Sequence, residues 1–195
     1  FGTFDAEADI RSSVNRSGAN LYFGAVNGKF FCIDGSTGAP VWTLQTGDQI
    51  HSTPAIISGL AFCGGCDGVL RALAIATGEE KWNAPLDAPI PMAAVGFDDK
   101  VAAGSLGGVL ACFKAADGSE VWRQTFEQEE FFSAFAYANG RLIAPGRRLA
   151  LTCVDAATGQ FLCADENGAG FDAAPAVSGS AVCEAGHAGR LRVIK

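Results

Sequence analysis

Residues Tyr22 to Trp42 read YFGAVNGKFFCIDGSTGAPVW, and the stretch returns 40 residues later as Phe62 to Trp82, FCGGCDGVLRALAIATGEEKW. It returns after another 40 as Ala102 to Trp122, AAGSLGGVLACFKAADGSEVW. A fourth copy carries one extra residue and aligns Cys153-Val154-Asp155 and Thr158-Gly159 with Cys32-Ile33-Asp34 and Thr37-Gly38. A fifth begins near Val182 and runs to Lys195. Self-similarity at a fixed period of this size is the signature of stacked supersecondary units.

Each copy reads as strands. Gly28, Gly68, Gly108 and Gly189 share one phase, and Asn27-Gly28 and Asp67-Gly68 sit between apolar runs, which predicts a hairpin with a type I′ turn. The strand that follows carries Phe30, Leu70, Leu110, Leu151 and Leu191 at one site. Ile33, Leu73, Phe113, Val154 and Ile194 lie on its other face, so the sheet is expected to be covered on both sides. A second turn falls at Thr37-Gly38, Thr77-Gly78, Asp117-Gly118 and Thr158-Gly159, and a closing strand then brings Trp42, Trp82 and Trp122. Three tryptophans at one repeat phase are packing residues, placed to fill the gap between neighbouring units. A further apolar segment precedes each hairpin (Ile10 to Val14, Ile50 to Pro54, Ile90 to Ala94, Phe131 to Phe135, Phe171 to Pro175) and is expected to be the innermost strand.

Four strands per unit of this length predict an all-β fold, a β-propeller in one domain over residues 1–195. The repeats run over about 10–49, 50–89, 90–130, 131–170 and 171–195 with 1–9. Phe1 falls at the phase of Val41 and Lys195 at that of Asp34, so Phe1 to Phe4 could complete the last blade. That favours a closed five-bladed ring over an arc of a larger propeller, because an arc leaves open sheet edges.

Composition agrees and excludes other classes. The chain of 195 residues is 49% hydrophobic and 18% charged, too apolar for disorder. Its 25 glycines fall mostly between short apolar runs, as tight turns between strands require. A net charge of −7 with scattered basic residues argues against nucleic acid, and no apolar run is long enough to span a membrane as a helix. Seven cysteines, an odd count without evident pairing, suggest an intracellular reducing compartment, cytoplasm or organelle matrix.

The block VNGKFFCIDGSTGAPVW resembles the repeat of pyrroloquinoline-quinone-type propellers, where an NG or DG turn, an aliphatic strand ending in Asp, a TG turn and a Trp recur. Copies four and five depart from it: Leu149 replaces the turn glycine and Cys163 stands where Trp would be. The Cys-tolerant strands FCGGCDG, FFCID and LACFK look most like propellers attached to acyl-activating, adenylate-forming proteins. The resemblance does not bring the cofactor with it. Quinone-dependent alcohol dehydrogenases of this type use adjacent cysteines, a catalytic Asp and Ca²⁺ ligands, and no Cys-Cys pair exists here.

No catalytic, cofactor or metal residue is assigned. Cys32, Cys112 and Cys153 share a phase with Ala72 and Val193, which marks a small packed position. Cys63-Gly-Gly-Cys66 has the CxxC spacing of metal and redox sites, yet no second CxxC accompanies it, and it spans a strand and its turn. Asn15-Arg16-Ser17 fits a glycosylation triplet, and Glu127 to Glu130 with Phe131-Phe132 is an acidic-aromatic loop that could meet a partner. One phase varies where its neighbours do not: Arg11, His51, Pro91, Phe132 and Asp172 enter the inner strands and would ring one mouth of the channel. Arg11, His51, Phe132 and Asp172 are therefore the candidate partner or ligand surface. The leading expectation is a non-catalytic module that binds protein partners within a larger protein or complex. The alternatives are a quinone-dependent oxidoreductase or its remnant, and a small-ligand sensor.

Overall fold

In the computed structural model, which describes residues 3–149, 151–165, 174–178, 181–186 and 190–194, the repeats are successive antiparallel sheets. Blade one is β1 (Asn15–Ser17), β2 (Asn20–Gly24), β3 (Lys29–Asp34) and β4 (Pro40–Gln45). Blade two is β5 (Ala55–Ile57), β6 (Leu60–Gly64), β7 (Val69–Ala74) and β8 (Glu80–Pro85). Blade three is β9 (Val95–Phe97), β10 (Lys100–Gly104), β11 (Val109–Lys114) and β12 (Glu120–Thr125). Blade four is β13 (Ala136–Ala138), β14 (Arg141–Pro145), β15 (Leu151–Asp155) and β16 (Phe161–Asp165). The last described sheet is β17 (Ala176–Ser178), β18 (Ala181–Gly186) and β19 (Arg190–Ile194). Strands pair in chain order within every sheet, as a propeller blade requires.

The short first strands β1, β5, β9, β13 and β17 touch one another in sequence, so they are innermost. They begin just after the segments expected to form them. Residues 50–54 are a connection, and the strand starts at Ala55. The connection is fixed by side chains instead of a ladder: the buried Ser12 hydroxyl accepts the Gly24 N–H at 2.9 Å and donates to the Gly24 carbonyl, and Ser52 does the same to Gly64. A Cβ on Gly24 or Gly64 would collide with Ile50 or Ile90 of the following connection.

The turns are partly as expected. Gly28, Gly68 and Gly108 have φ of +76°, +75° and +77°. Asn27 and Asp67 do not have positive φ, so the loops are not type I′. Instead Gly28 N–H bonds to Ala25 O, making a four-residue connection that ends on a left-handed glycine. The φ > 0 pairs that type I′ demands occur one hairpin earlier, at Ser58-Gly59 and Asn139-Gly140.

The core lies between blades. One apolar cluster joins Tyr22, Phe30 and Cys32 of blade one to Ala61, Cys63 and Leu73 of blade two, and equivalent clusters join blades two to three and three to four. Each junction is closed by a tryptophan. Trp42, Trp82 and Trp122 donate their indole N–H to the carbonyls of Ile75, Ala115 and Ala156 in the next blade, at 3.0, 2.9 and 2.9 Å. Each ring also lies on the next blade's turn glycine: a Cβ on Gly78, Gly118 or Gly159 would approach Trp42, Trp82 or Trp122 to 2.7, 2.6 or 2.5 Å. On the free face of blade one, Phe4 packs edge-on against Phe23 and Phe31, and Ala6 is buried beside them. Residues 3–13 form no strand, and the expected completion of the last blade by Phe1 to Phe4 involves Phe1 and Gly2, outside the described residues.

Gly118 and Gly59 have similar positive φ, +71° and +77°, but only Gly118 has a ring over it; nothing lies within 4 Å of a Cβ on Gly59. Gly59→Ala should therefore cost only the left-handed penalty, about 1–2 kcal/mol. Gly118→Ala should cost more, because Trp82 must move as well. Urea denaturation of the two variants gives the comparison, and equal losses would mean that the tryptophan contact is not a constraint.

Candidate functional site

Arg11, His51, Pro91 and Phe132 occupy the same step in four successive connections, each leading to an inner strand. Arg11 is exposed and the other three are half-buried. Asp172 lies outside the described residues. Among the described residues no hydrogen bond or ion pair joins one of the four to another. His51 Nε2 is 2.9 Å from Gln49 Oε1. The Arg147 guanidinium stands 5.7 Å from the Phe132 ring centroid and pairs with Glu130 at 2.8 Å. The four positions thus carry a cation, an imidazole, a proline and an aromatic at one step of the repeat. They are not a catalytic constellation, which needs a nucleophile, a base and an orienting group within bonding reach.

The acidic-aromatic loop is less of a surface than its sequence suggests. Glu129 and Phe131 are buried. Glu129 Oε1 accepts the backbone N–H groups of Glu130 and Arg148, at 3.0 and 2.8 Å, and Oε2 accepts that of Leu149 at 2.7 Å. The carboxylate thereby organises the turn where blade four, alone among the first four, lacks the left-handed glycine and has Pro145-Gly146-Arg147-Arg148-Leu149. Pro145 has a second effect. It stands where Gly24 and Gly64 meet their serines, and it has no N–H to donate to Ser133, whose buried hydroxyl is without a partner.

The cysteine positions bear on chemistry in the opposite sense from the CxxC spacing. Cys63 is buried, and burial pushes its thiol up to about 12. Cys66 is also raised, chiefly by burial, with Asp48 and Asp67 adding to it. Both thiols are thus held in the protonated form, and among the described residues no cluster of three His, Cys, Asp or Glu side chains includes them. Burial likewise takes Cys112 to about 12. Arg71, which lowers Cys63 slightly, is committed to Asp67 at 2.7 Å and Glu80 at 3.4 Å.

Two groups escaped the sequence reading. One is Glu129, which looked like one acid among three. The other is the pairing of Cys163, noted only as the residue in place of Trp, with Cys153 directly opposite in the β15–β16 ladder. The signal for it was present: in blades one to three the same rung pairs Cys32 with Trp42, Ala72 with Trp82 and Cys112 with Trp122.

With the geometry in place, the chain can be set beside known proteins. The family model described as "Outer membrane protein assembly factor BamB" matches residues 3–104, 83–162 and 106–194, in overlapping copies. Outer membrane protein assembly factor BamB of Burkholderia pseudomallei (strain K96243) is 29% identical over 167 residues, covering 82% of this chain and 43% of that protein. The chain thus spans less than half the length of that relative. The crystal structure of BamB from Moraxella catarrhalis superposes with a TM-score of 0.83 at 18% identity, over 97% of this chain and 59% of that one. Quinohemoprotein alcohol dehydrogenase from Comamonas testosteroni gives 0.82 at 16% identity, over 96% and 41%, a likeness of fold alone.

Two expectations change or sharpen. The propeller of pyrroloquinoline-quinone type stands, whereas attachment to an acyl-activating protein rests on the Cys-tolerant strands alone. The intracellular reducing compartment is corrected: the matched family and the Burkholderia relative are factors for assembling outer membrane proteins, not proteins of the cytosol or an organelle matrix. The quinone implied by the fold family does not fit these residues. The chain has no adjacent cysteines, and among the described residues no three His, Cys, Asp or Glu side chains cluster to hold a cation.

Two measurements test the site's electrostatics. Glu129→Gln keeps the volume but turns an amide NH₂ toward backbone donors, and should cost about 1–3 kcal/mol in urea denaturation; a neutral result would remove its role in the turn. Asp34 is held at about 2 by the Ser36 hydroxyl, with the Thr37 and Ser36 N–H groups and the Thr37 hydroxyl adding to it. Its folded value is depressed, so its contribution is complete above the unfolded value of about 3.9 and is lost as pH falls through about 2. A carboxyl ¹³C titration should place its midpoint there, and a midpoint near 4 would show the turn to be open.

Proposed function

We propose that this chain, which belongs to the family of the outer membrane protein assembly factor BamB, is a non-catalytic propeller that binds protein partners through one channel mouth and its loops. The observation that carries the reading is how the residues are spent. Tryptophans, turn glycines, small cysteines, inner serines and Glu129 all hold blades or turns together. Arg11, His51, Pro91 and Phe132 vary at a fixed phase and take no part in a blade junction. A rim whose framework is constant and whose side chains differ blade by blade suits recognition, in which a few aromatic and arginine anchors carry most of the energy.

The family and relatives support a partner among outer membrane proteins or the proteins that assemble them. In this setting the surface would take extended, apolar-alternating β-segments before they enter the bilayer. The aromatic Phe132, backed by Arg147, is the anchor for such a segment, and Arg11 and His51 supply hydrogen bonds. No helix among the described residues is long and apolar enough to cross a membrane.

The test is binding of an unfolded outer membrane β-barrel protein to the full chain, compared with the variant carrying Arg11→Ala, His51→Ala and Phe132→Ala. Affinity should fall about tenfold or more while the melting temperature stays within a few degrees, because none of the three closes a blade junction. Unchanged affinity would remove the mouth from the reading, and no binding by the parent chain would overturn the assembly role. The oxidoreductase reading has a separate check. Incubation with pyrroloquinoline quinone and Ca²⁺ should leave no bound quinone spectrum, and a stable spectrum with dye reduction would replace the scaffold.

A further inference from the structure

We infer that Cys153 and Cys163 of blade four constitute a thiol–disulfide site, two strand-paired thiols that close to a disulfide by exchange with a disulfide oxidant. The ladder sets them directly opposite each other, close enough for the Cys163 thiol to raise that of Cys153. Opposed residues of an antiparallel ladder have Cα atoms roughly 4.5–5.5 Å apart. That range lies within the roughly 4.4–6.8 Å that disulfides span. The register shifts between Cys153 and Val154, which leaves the backbone beside the pair room to adjust. Among the described residues no other cysteine faces a cysteine: Cys63 faces Arg71, and Cys32 and Cys112 face Tyr22 and Ala102 on one side and tryptophans on the other.

Access divides the two roles. Cys163 is exposed and Cys153 half-buried, so the first exchange takes place at Cys163. Its thiol releases a proton to solvent, and the thiolate attacks one sulfur of the oxidant. Half of the oxidant leaves as a thiolate and takes up a proton, and Cys163 is left in a mixed disulfide. Cys153 then loses its proton and attacks the Cys163 sulfur, expelling the second half as a thiol. Two S–H bonds of the protein have broken and one S–S bond has formed, while two electrons have reduced the oxidant's S–S to two S–H. The closing step is slow near neutrality, because burial holds the Cys153 thiol above its ordinary value. The bond would tie β16 to β15 on the rung where blades one to three place a tryptophan. Blade four has no indole there to reach the next blade, and its outer strand presents Phe161 and Leu162 to solvent.

The experiment is a redox titration of the full, reduced chain in buffers of reduced and oxidised glutathione, quenched with acid, alkylated and weighed intact. Two of the seven cysteines should lose reactivity together, with loss of two hydrogens in mass. No Lys or Arg lies between Leu149 and Gly189, so trypsin leaves Cys153, Cys163 and Cys183 on one peptide. Cleavage before Asp155 separates Cys153 from Cys163 and should reveal them linked. Cys153→Ser should stop at a glutathione adduct on Cys163, and Cys163→Ser should form neither adduct nor link, with tryptophan fluorescence confirming that both variants are folded. The closing rate should rise about tenfold per pH unit between pH 7 and 9, following the Cys153 thiolate. Full reduction at every glutathione ratio, a link from Cys163 to any other cysteine, or a pH-independent closing rate would overturn the assignment.

Discussion

A blade of this chain is apolar on both faces, so no blade can bury itself, and the structure depends on the contact that joins one blade to the next. That contact is the indole of Trp42, Trp82 or Trp122 laid on the turn glycine of its neighbour, with its N–H fixed to the neighbour's backbone. The hydrogen bond contributes about 1 kcal/mol net, and burial of the ring about 1.5–3 kcal/mol. Both terms appear only when two blades are present. The unit that is stable is therefore the stack, which is why the sequence repeats so faithfully where strands meet. The same contact explains why the TG turn keeps its glycine: the position must have φ > 0 and must also leave the ring its place.

Blade four is where the pattern gives way, and its departures are coupled. Pro145 removes the N–H that an inner serine accepts, and the Ser133 hydroxyl beside it is unpaired. The turn beyond it has no left-handed glycine, and a carboxylate from the preceding loop, Glu129, enters to collect three backbone donors. On the far side of the sheet Cys163 replaces the junction tryptophan. A strand ladder continues through all of this because β14 and β15 pair in the same register as their counterparts. The backbone frame is set by strand pairing and by the small-residue rung, and side chains can be exchanged around it.

That separation accounts for what the sequence disclosed. Period, strand count, blade order, the buried faces of Phe30 and Ile33, and the packing role of the tryptophans were legible because each is repeated, and repetition averages away local noise. The inner strands were misplaced by a few residues because Ile50 and its equivalents are apolar for a different reason: they fill the space over Gly24 and Gly64. The type I′ turn was assigned to the wrong hairpin because Asn-Gly also serves a longer loop in which only the glycine needs φ > 0. Glu129 and the Cys153–Cys163 rung were not seen because each depends on which residue lies across a ladder or a loop, and a single copy carries no repeat to show it. Asp172 lies outside the described residues, so the varying phase is described at four of its five positions.

The cysteines show why a count cannot stand for an environment. The odd number of thiols suggested a reducing compartment on the assumption that each would otherwise seek a partner. Cys63 and Cys112 are shielded by neighbouring blades, and burial takes both to about 12. Such a group stays protonated and shielded from an oxidant at neutral pH, so its presence does not report on the compartment. These cysteines were small apolar residues filling a narrow space, as Ala72 does at the same phase. Among the described residues Cys163 is the one exposed cysteine, and Cys153 faces it across the ladder.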